Sequence, residues 1–192
     1  MKRFILINLL IVLLSSSVIL SQVEDEEKSK ESSTKIETFL SQKNIMIIKD
    51  SYKLGELNVK GRITFSALVI YQPGKENNRI KGIMVVADEF STVKKKSNVS
   101  YLDMDELENF SKAVSYMIEL SGKWENVDRE PYTVVKYTTE GNFKLGFYQD
   151  GDDRMVFATC GTVFPASVFL QIEDLTQINS FIENGISILN QK

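Results

Sequence analysis

The chain has 192 residues, of which 43% are hydrophobic, and it carries 23 basic and 26 acidic side chains but no histidine. The absence of histidine excludes a Ser-His-Asp triad, a Cys-His dyad and any zinc site with an imidazole ligand. The single cysteine excludes an internal disulfide and a zinc cluster built from cysteines alone. Neither of the common glycine-rich phosphate-binding motifs occurs. A chain of this length can bury a substantial core, so the composition predicts a globular domain without these familiar centres.

Residues 1–21 have the pattern of a secretory signal peptide. Two basic residues at 2–3 precede an apolar stretch over 4–20, which is interrupted by serines. As a helix this stretch would span about 25 Å, short of the roughly 30 Å hydrocarbon core of a bilayer. We therefore predict an exported protein, periplasmic or secreted, with the signal cleaved near Ser21-Gln22. Cleavage after Ser17 is an alternative, and membrane attachment would require the segment to stay uncleaved.

Residues 22–33 are rich in charge and serine, with five acidic and two basic side chains and almost nothing apolar to bury. We predict a disordered acidic tether here, followed by a single globular domain over 34–192. Removal of the leader takes away two of the 23 basic side chains and none of the 26 acidic ones, which leaves a net charge of −5. A net-acidic surface does not attract nucleic acid or anionic lipid over long range.

The domain opens with a short helical pattern and continues with strands. We predict a helix over 34–43, in which Thr34 and Glu37 form a capping box. Apolar and polar residues then alternate, most clearly from Ile63 to Tyr71, and turn residues separate the alternating segments. We place four strands near residues 45–58, 62–72, 79–88 and 97–102.

From Asp103 onward the apolar residues recur at helical spacing, and the helix is expected to end at Gly122. A link of about ten residues leads to a second set of strands and a final helix over 172–189. Tight hairpins are expected at Gly141 and at Asp150-Gly151. We place the second four strands near residues 132–139, 142–149, 154–160 and 165–170.

The two sets end alike when they are aligned at an offset of 68 residues. Leu107 then matches Leu175 and Ile118 matches Ile186, although a strand that runs into an amphipathic helix produces part of such a match by itself. A true duplication is the interpretation that the alignment favours. We therefore predict an α+β fold of two ββββα repeats, with antiparallel sheets packed on two amphipathic helices. The repeats are placed at about 45–121 and 132–190.

The element order over 45–189 resembles that of the Whirly single-stranded-DNA-binding proteins and, more loosely, the Pur-type repeats. That resemblance implies a topology and, by fold analogy alone, a sheet that binds single-stranded nucleic acid. The segments YLDMDEL at 101–107 and YTTEGNFKLGF at 137–147 are similar to patterns in small secreted bacterial proteins of unknown function. The leader ending in Ser-Gln is similar to leaders of Bacteroidota. The second resemblance implies export and supplies no activity.

Basic and aromatic residues interleave on two neighbouring strands of the second repeat. Lys136 and Tyr137 lie on one strand, and Lys144 and Tyr148 lie on the next. Such residues could form a ligand surface that stacks bases and neutralises phosphates. Ordinary cross-strand packing with lysines at the wet edge is the alternative. The acidic net charge and the leader both argue against nucleic acid as the partner.

Carboxylates cluster at the starts of the two long helices, Asp103 and Glu106 at the first and Glu173 and Asp174 at the second. They could form a metal site or an acid–base pair, as in a carboxylate- or metal-dependent hydrolase. The same pattern at both helix starts is what helix capping predicts. We interpret these four residues as caps, and we predict no catalytic residue, no metal site and no cofactor.

Two further features have simple structural interpretations. Asp150, Asp152 and Asp153 surround a glycine as in a calcium loop, but Gly161 stands where an EF-hand requires glutamate. A tight turn explains them better. Cys160 could pair with another chain, but a lone cysteine at a strand end is more often a small buried residue.

The sequence as a whole predicts an exported, non-enzymatic α+β protein that binds or supports an envelope or extracellular partner, or forms a homodimer. Its alternatives are a nucleic-acid-binding sheet and a hydrolase. Discriminating between these three functions requires the positions of the candidate residues in the fold.

The predicted leader can be tested directly in the native host. Fractionation followed by mass spectrometry of the N-terminus should find a chain that begins at Gln22, or at Val18 for the alternative site, outside the cytoplasm. An intact Met1 in the membrane fraction would show an uncleaved anchor. An intact Met1 in the cytosol would contradict export.

Overall fold

The structure, a computed structural model, describes residues 33–90, 95–127 and 129–192. The predicted signal peptide over 1–21, and the predicted tether over 22–33 except its last residue, lie outside the described part. Within that part, no helix is both long enough and apolar enough to span a bilayer.

The described residues form three helices and eight strands in the predicted order. The strands form two antiparallel sheets, ordered β1-β2-β3-β4 and β5-β6-β7-β8. The predicted α+β fold with two ββββα units is therefore confirmed. The elements are α1 (Lys35–Leu40), β1 (Ile48–Asn58), β2 (Gly61–Tyr71), β3 (Ile80–Phe90), β4 (Lys95–Asp103), α2 (Leu107–Lys123), β5 (Arg129–Thr138), β6 (Lys144–Gly151), β7 (Asp153–Cys160), β8 (Ala166–Leu170) and α3 (Asp174–Asn190).

Helix α1 is shorter than the predicted 34–43, although its predicted start is confirmed. The side chain of Thr34 accepts from the backbone of Glu37, and the side chain of Glu37 accepts from the backbone of Thr34. The helix ends at Leu40, and Asn44 then adopts a φ of 60°. This left-handed conformation redirects the backbone before β1 begins.

Alternation along each strand separates an inner face from an outer face. On β2, Ile63, Phe65 and Ala67 point inward and are fully buried. They belong to one continuous core cluster that also includes apolar residues of the second sheet and of both long helices. The inner faces of the two sheets and the helices thus form a single core.

Helix α3 follows the second sheet but packs on the first. The ring of Phe181 lies 5.8 Å from that of Phe65 on β2, and it covers Gly55 so closely that a Cβ at Gly55 would lie 2.2 Å from the ring. Lys81 of β3 donates from Nζ to the carbonyl oxygen of Leu189 at 2.9 Å. The last turn of α3 is thereby held against the first sheet.

Helix α2 follows the first sheet and packs on the second in the same way. The ring of Phe110 lies 5.7 Å from that of Tyr137 on β5, and Trp124 meets Phe147 of β6 edge to face at 5.6 Å. Arg154 of β7 donates from Nη1 to the carbonyl oxygen of Ser121 at 2.8 Å. Ser121 and Leu189, the acceptor on α3, are 68 residues apart, so the two helix ends are held by equivalent contacts.

The offset of 68 residues extends to the buried side of both long helices. Ser111 of α2 donates from Oγ to Asn179 Oδ1 of α3 at 3.2 Å, and these two residues occupy equivalent positions 68 residues apart. Equivalent positions that touch lie close to an axis relating the two units. The five buried residues of the helices match pairwise at this offset: Leu107 with Leu175, Phe110 with Ile178, Val114 with Ile182, Met117 with Gly185, and Ser121 with Leu189.

Helix α1 makes the two units different, because it packs on the outer face of the first sheet. Its Ile36 is fully buried against Leu68 and Ile70, which lie on the outer face of the first sheet. Gly82 allows this approach, because a Cβ there would lie 2.6 Å from Ile36 Cδ1. In the described part of the chain, the outer face of the second sheet has no such helix.

The core position of Phe110 can be tested against an exposed aromatic on the same helix. Phe110→Ala should lower the free energy of unfolding by about 3 to 5 kcal/mol, because it opens a cavity between α2 and the second sheet. Tyr116→Ala, at a side chain that is 59% exposed, should change it by less than about 0.5 kcal/mol. Urea denaturation measures both, and equal effects would contradict the packing of α2.

Candidate functional site

The outer face of the second sheet is the most distinctive surface that the fold leaves uncovered. Strand register sets its members, since Lys136 is opposite Gly146, Tyr148 is opposite Met155, and Phe157 is opposite Phe169. We call this surface the aromatic face. It consists of Tyr132, Val134, Lys136 and Thr138 on β5, Lys144, Gly146 and Tyr148 on β6, Met155 and Phe157 on β7, and Phe169 on β8.

Large apolar side chains of the aromatic face are open to solvent. Tyr132 is 62% exposed, Val134 46% and Phe169 42%. The rings of Tyr132 and Tyr148 lie 5.7 Å apart and are tilted by 35°. Scattered single apolar residues are normal on a protein surface, whereas a group that extends over neighbouring strands is a candidate interaction site.

Three of the four predicted ligand-surface residues, Lys136, Lys144 and Tyr148, lie on the aromatic face. The fourth, Tyr137, does not, and the prediction that it joins them was wrong. Tyr137 points inward, where its ring packs on Phe110, because successive residues of a strand point to opposite sides of the sheet. Tyr132 occupies the exposed aromatic position instead. Tyr132, Val134 and Lys136 are alternate residues of one strand, and this spacing could have identified Tyr132 from the sequence.

Gly146 keeps the middle of the aromatic face flat. A Cβ there would lie 2.2 Å from the carbonyl oxygen of Val135 and 2.8 Å from Cζ of Phe157. The Phe157 ring therefore lies over the backbone of Gly146, where a larger residue would displace it.

The outer face of the first sheet is different, because ion pairs and α1 cover it. Arg62 donates to Asp88 Oδ2 from Nε at 3.0 Å and also from Nη2, and Lys95 Nζ lies 3.7 Å from Asp88 Oδ1. Burial alone would raise the pKa of Asp88, but the hydrogen bonds from Arg62 and Ser97 and the charge of Lys95 outweigh it, so this pKa lies below its usual range. Asp88 thus forms ion pairs with both Arg62 and Lys95.

The helix-start carboxylates Glu106 and Asp174 bind backbone groups at equivalent positions. Glu106 accepts from the backbone N–H of Asp103 at 3.0 Å, and Asp174 accepts from that of Gln171 at 2.8 Å. Burial raises the pKa of Glu106, against the opposing hydrogen bonds from the backbone. Each carboxylate binds the backbone N–H three residues before it, in the turn that leads into the helix.

The other two carboxylates do not cap the long helices. Asp103 was expected to cap α2, but its side chain accepts from the backbone N–H groups of Lys35 at 2.6 Å and Ile36 at 3.2 Å. It therefore holds the first turn of α1, a partner 68 residues away that no local pattern reveals. Glu173 occupies the N-cap position of α3 without a side-chain cap hydrogen bond.

The described residues contain no cluster of three or more His, Cys, Asp or Glu side chains that could hold a metal ion. A cavity of about 340 Å³ near the start of α1 is lined in part by Lys35, Arg79, Lys81 and Asp105. Its charged groups already have partners. Lys35 Nζ contacts Asp105 Oδ2 at 2.6 Å, Arg79 donates to the carbonyl oxygen of Lys192, and Lys81 binds the end of α3.

The Asp150 segment and Cys160 have the predicted structural positions. In the strand register Asp150 lies opposite Asp153 at a tight hairpin. Gly151 in this hairpin has a φ of 57°. Cys160 is fully buried, and its Sγ lies 3.5 Å from the carbonyl oxygen of Val85. Burial raises the pKa of this thiol to about 12.

Comparison with known protein families and with curated proteins finds no match for this chain. The aromatic face is therefore described by its own chemistry. Its features are exposed rings and two lysines.

Burial of Cys160 predicts an unreactive thiol. At pH 8 the folded protein should resist iodoacetamide, because the pKa of about 12 leaves almost no thiolate and the core excludes the reagent. The same chain in guanidinium should be alkylated rapidly. Rapid alkylation of the folded chain, or a disulfide-linked dimer on non-reducing gels, would contradict the buried position.

Proposed function

We propose that this chain is an exported, non-enzymatic protein that binds another protein through the aromatic face. The observation that carries the proposal is the exposure of Tyr132, Val134 and Phe169 on a sheet face that no helix of the described residues covers. Export is supported by the leader pattern in the sequence. The partner would cover the aromatic face as α1 covers part of the outer face of the first sheet.

The composition of the aromatic face favours a protein as the partner. Tyrosine, phenylalanine and methionine are enriched at protein interfaces, and tyrosine is one of the residues enriched in binding hot spots. The hydroxyl of Tyr148 donates to Sδ of Met155 at 3.6 Å, so these two side chains form a continuous surface next to Tyr132. Lys136 and Lys144 lie where a polar rim is expected around such a centre.

A single-stranded nucleic acid is the second candidate, because Tyr132 and Tyr148 could stack bases and the two lysines could bind phosphates. The electrostatics favour it less. The chain has a net charge of −3, and Asp150 and Asp153 add negative charge at the β6–β7 hairpin. Two lysines give little of the counterion release on which such binding depends.

A hydrolase is supported less than binding. Glu106 and Asp174 accept backbone hydrogen bonds at two separate helix starts, and Asp103 holds α1. These contacts support structural roles for the carboxylates that would have to act as acid and base.

Site-specific cross-linking tests the aromatic face in the native host. A photoactivatable phenylalanine derivative at position 134 should give a discrete covalent adduct with a second protein, whereas the same derivative at exposed position 116 on α2 should give none. Tyr132→Ser and Phe169→Ser together should abolish the adduct, because exposed hot-spot side chains supply most of the binding energy. Circular dichroism should confirm that the variant stays folded.

Three outcomes separate the candidates. Identical adducts at positions 134 and 116, or none at either, would contradict a specific protein-binding face. Binding of oligothymidine that weakens steeply with salt and is lost in the Tyr132→Ser variant would favour nucleic acid instead. An adduct between two copies of the chain would identify the partner as a second copy, so that the protein forms a homodimer.

A further inference from the structure

The β7–β8 hairpin, outside the aromatic face, presents two large apolar side chains to solvent. Phe164 is 81% exposed and Val163 is 69% exposed. Phe164 has a φ of 55°, a left-handed conformation that is strained for a bulky residue. Such strain persists only where the surrounding structure enforces it, and it is more frequent at functional sites.

Strand β4 holds the hairpin in this conformation. Asn98 Nδ2 lies 3.4 Å from the carbonyl oxygens of both Val163 and Phe164. The backbone N–H of Gly161 donates to Ser100 Oγ at 3.1 Å. The two apolar side chains are therefore presented by a loop that is fixed at its base.

Other exposed apolar residues lie at the same end of the first sheet. Phe90 ends β3 and is 52% exposed, and Val59 in the β1–β2 turn is 46% exposed. Glu89, next to Phe90, accepts from the backbone N–H of Ser167 on β8 at 3.1 Å, which joins the end of β3 to the hairpin. We call this end the apolar tip, and define it by Val59, Phe90, Val163 and Phe164.

The apolar tip is surrounded by positive charge, although the whole chain is acidic. Asp88 and Glu89 of this end are paired with basic side chains, and Glu56, near the end of β1, is paired with Lys53. Lys95 Nζ also lies 5.6 Å from the ring centre of Phe90. Five basic residues of this end outnumber its three acidic ones: Lys53, Lys60, Arg62, Lys95 and Lys96.

We propose that the apolar tip docks on an anionic lipid surface. A projecting loop can insert Val163 and Phe164 at the boundary between headgroups and acyl chains, and surrounding lysines add attraction to anionic headgroups. The local excess of positive charge is complementary to such a surface, even though the net charge of the whole chain is not. This surface is separate from the aromatic face, so the protein could bind a membrane and a partner together.

Vesicle binding tests the apolar tip. The purified protein should co-sediment with vesicles of phosphatidylcholine and phosphatidylglycerol more strongly than with phosphatidylcholine alone. Val163→Ser with Phe164→Ser should weaken this binding by at least about tenfold, because two apolar side chains no longer enter the lipid. Lys60→Glu should weaken binding to the anionic vesicles only, and added salt should do the same.

Met46→Ser and Tyr132→Ser are the controls. Met46 is 74% exposed and precedes β1 at the opposite end of the sheet, and Tyr132 belongs to the aromatic face. Both variants should bind vesicles as the wild type does. Equal binding by the wild type and the Val163/Phe164 double variant would overturn the proposal, because another segment would then hold the lipid. Failure of the wild type to bind anionic vesicles would overturn it as well.

Discussion

The inner face of each sheet is buried by the opposite sheet and by the helix that follows that opposite sheet. Phe110 of α2 packs on Tyr137 and Phe143 of the second unit, and Phe181 of α3 packs on Phe65 of the first. A unit of this size alone would bury little surface and be marginally stable, whereas the exchanged helices give both units one core. The two units thus form one fold.

The exchange also determines which surfaces stay available. With both inner faces covered by α2 and α3, the two outer faces are left to differ. Helix α1 covers part of one outer face and is held there by Asp103, which comes from the end of β4. The corresponding face of the second sheet lacks such a cover in the described residues, so its aromatic side chains face solvent. The asymmetry between two similar units therefore comes from one short helix.

Much of the fold could be predicted because its elements follow from local patterns. Alternation identified the strands, helical spacing identified α2 and α3, and the offset of 68 residues matched the buried positions of both helices. Thr34 and Glu37 marked the start of α1 from four residues of sequence. The candidate site was predicted less well, since Tyr137 was grouped with Lys136 although adjacent strand residues face opposite ways.

The sequence by itself determined the type and order of the elements, the turn at Asp150-Gly151 and the repeat, because hydrogen bonding and side-chain periodicity act over a few residues. Only the tertiary structure decided which helix covers which sheet, that Asp103 holds α1, and that the aromatic face is left uncovered. Those outcomes depend on contacts between residues far apart in the chain, such as Lys81 with Leu189. A single local pattern is compatible with several such arrangements, and the packing of the whole core selects one.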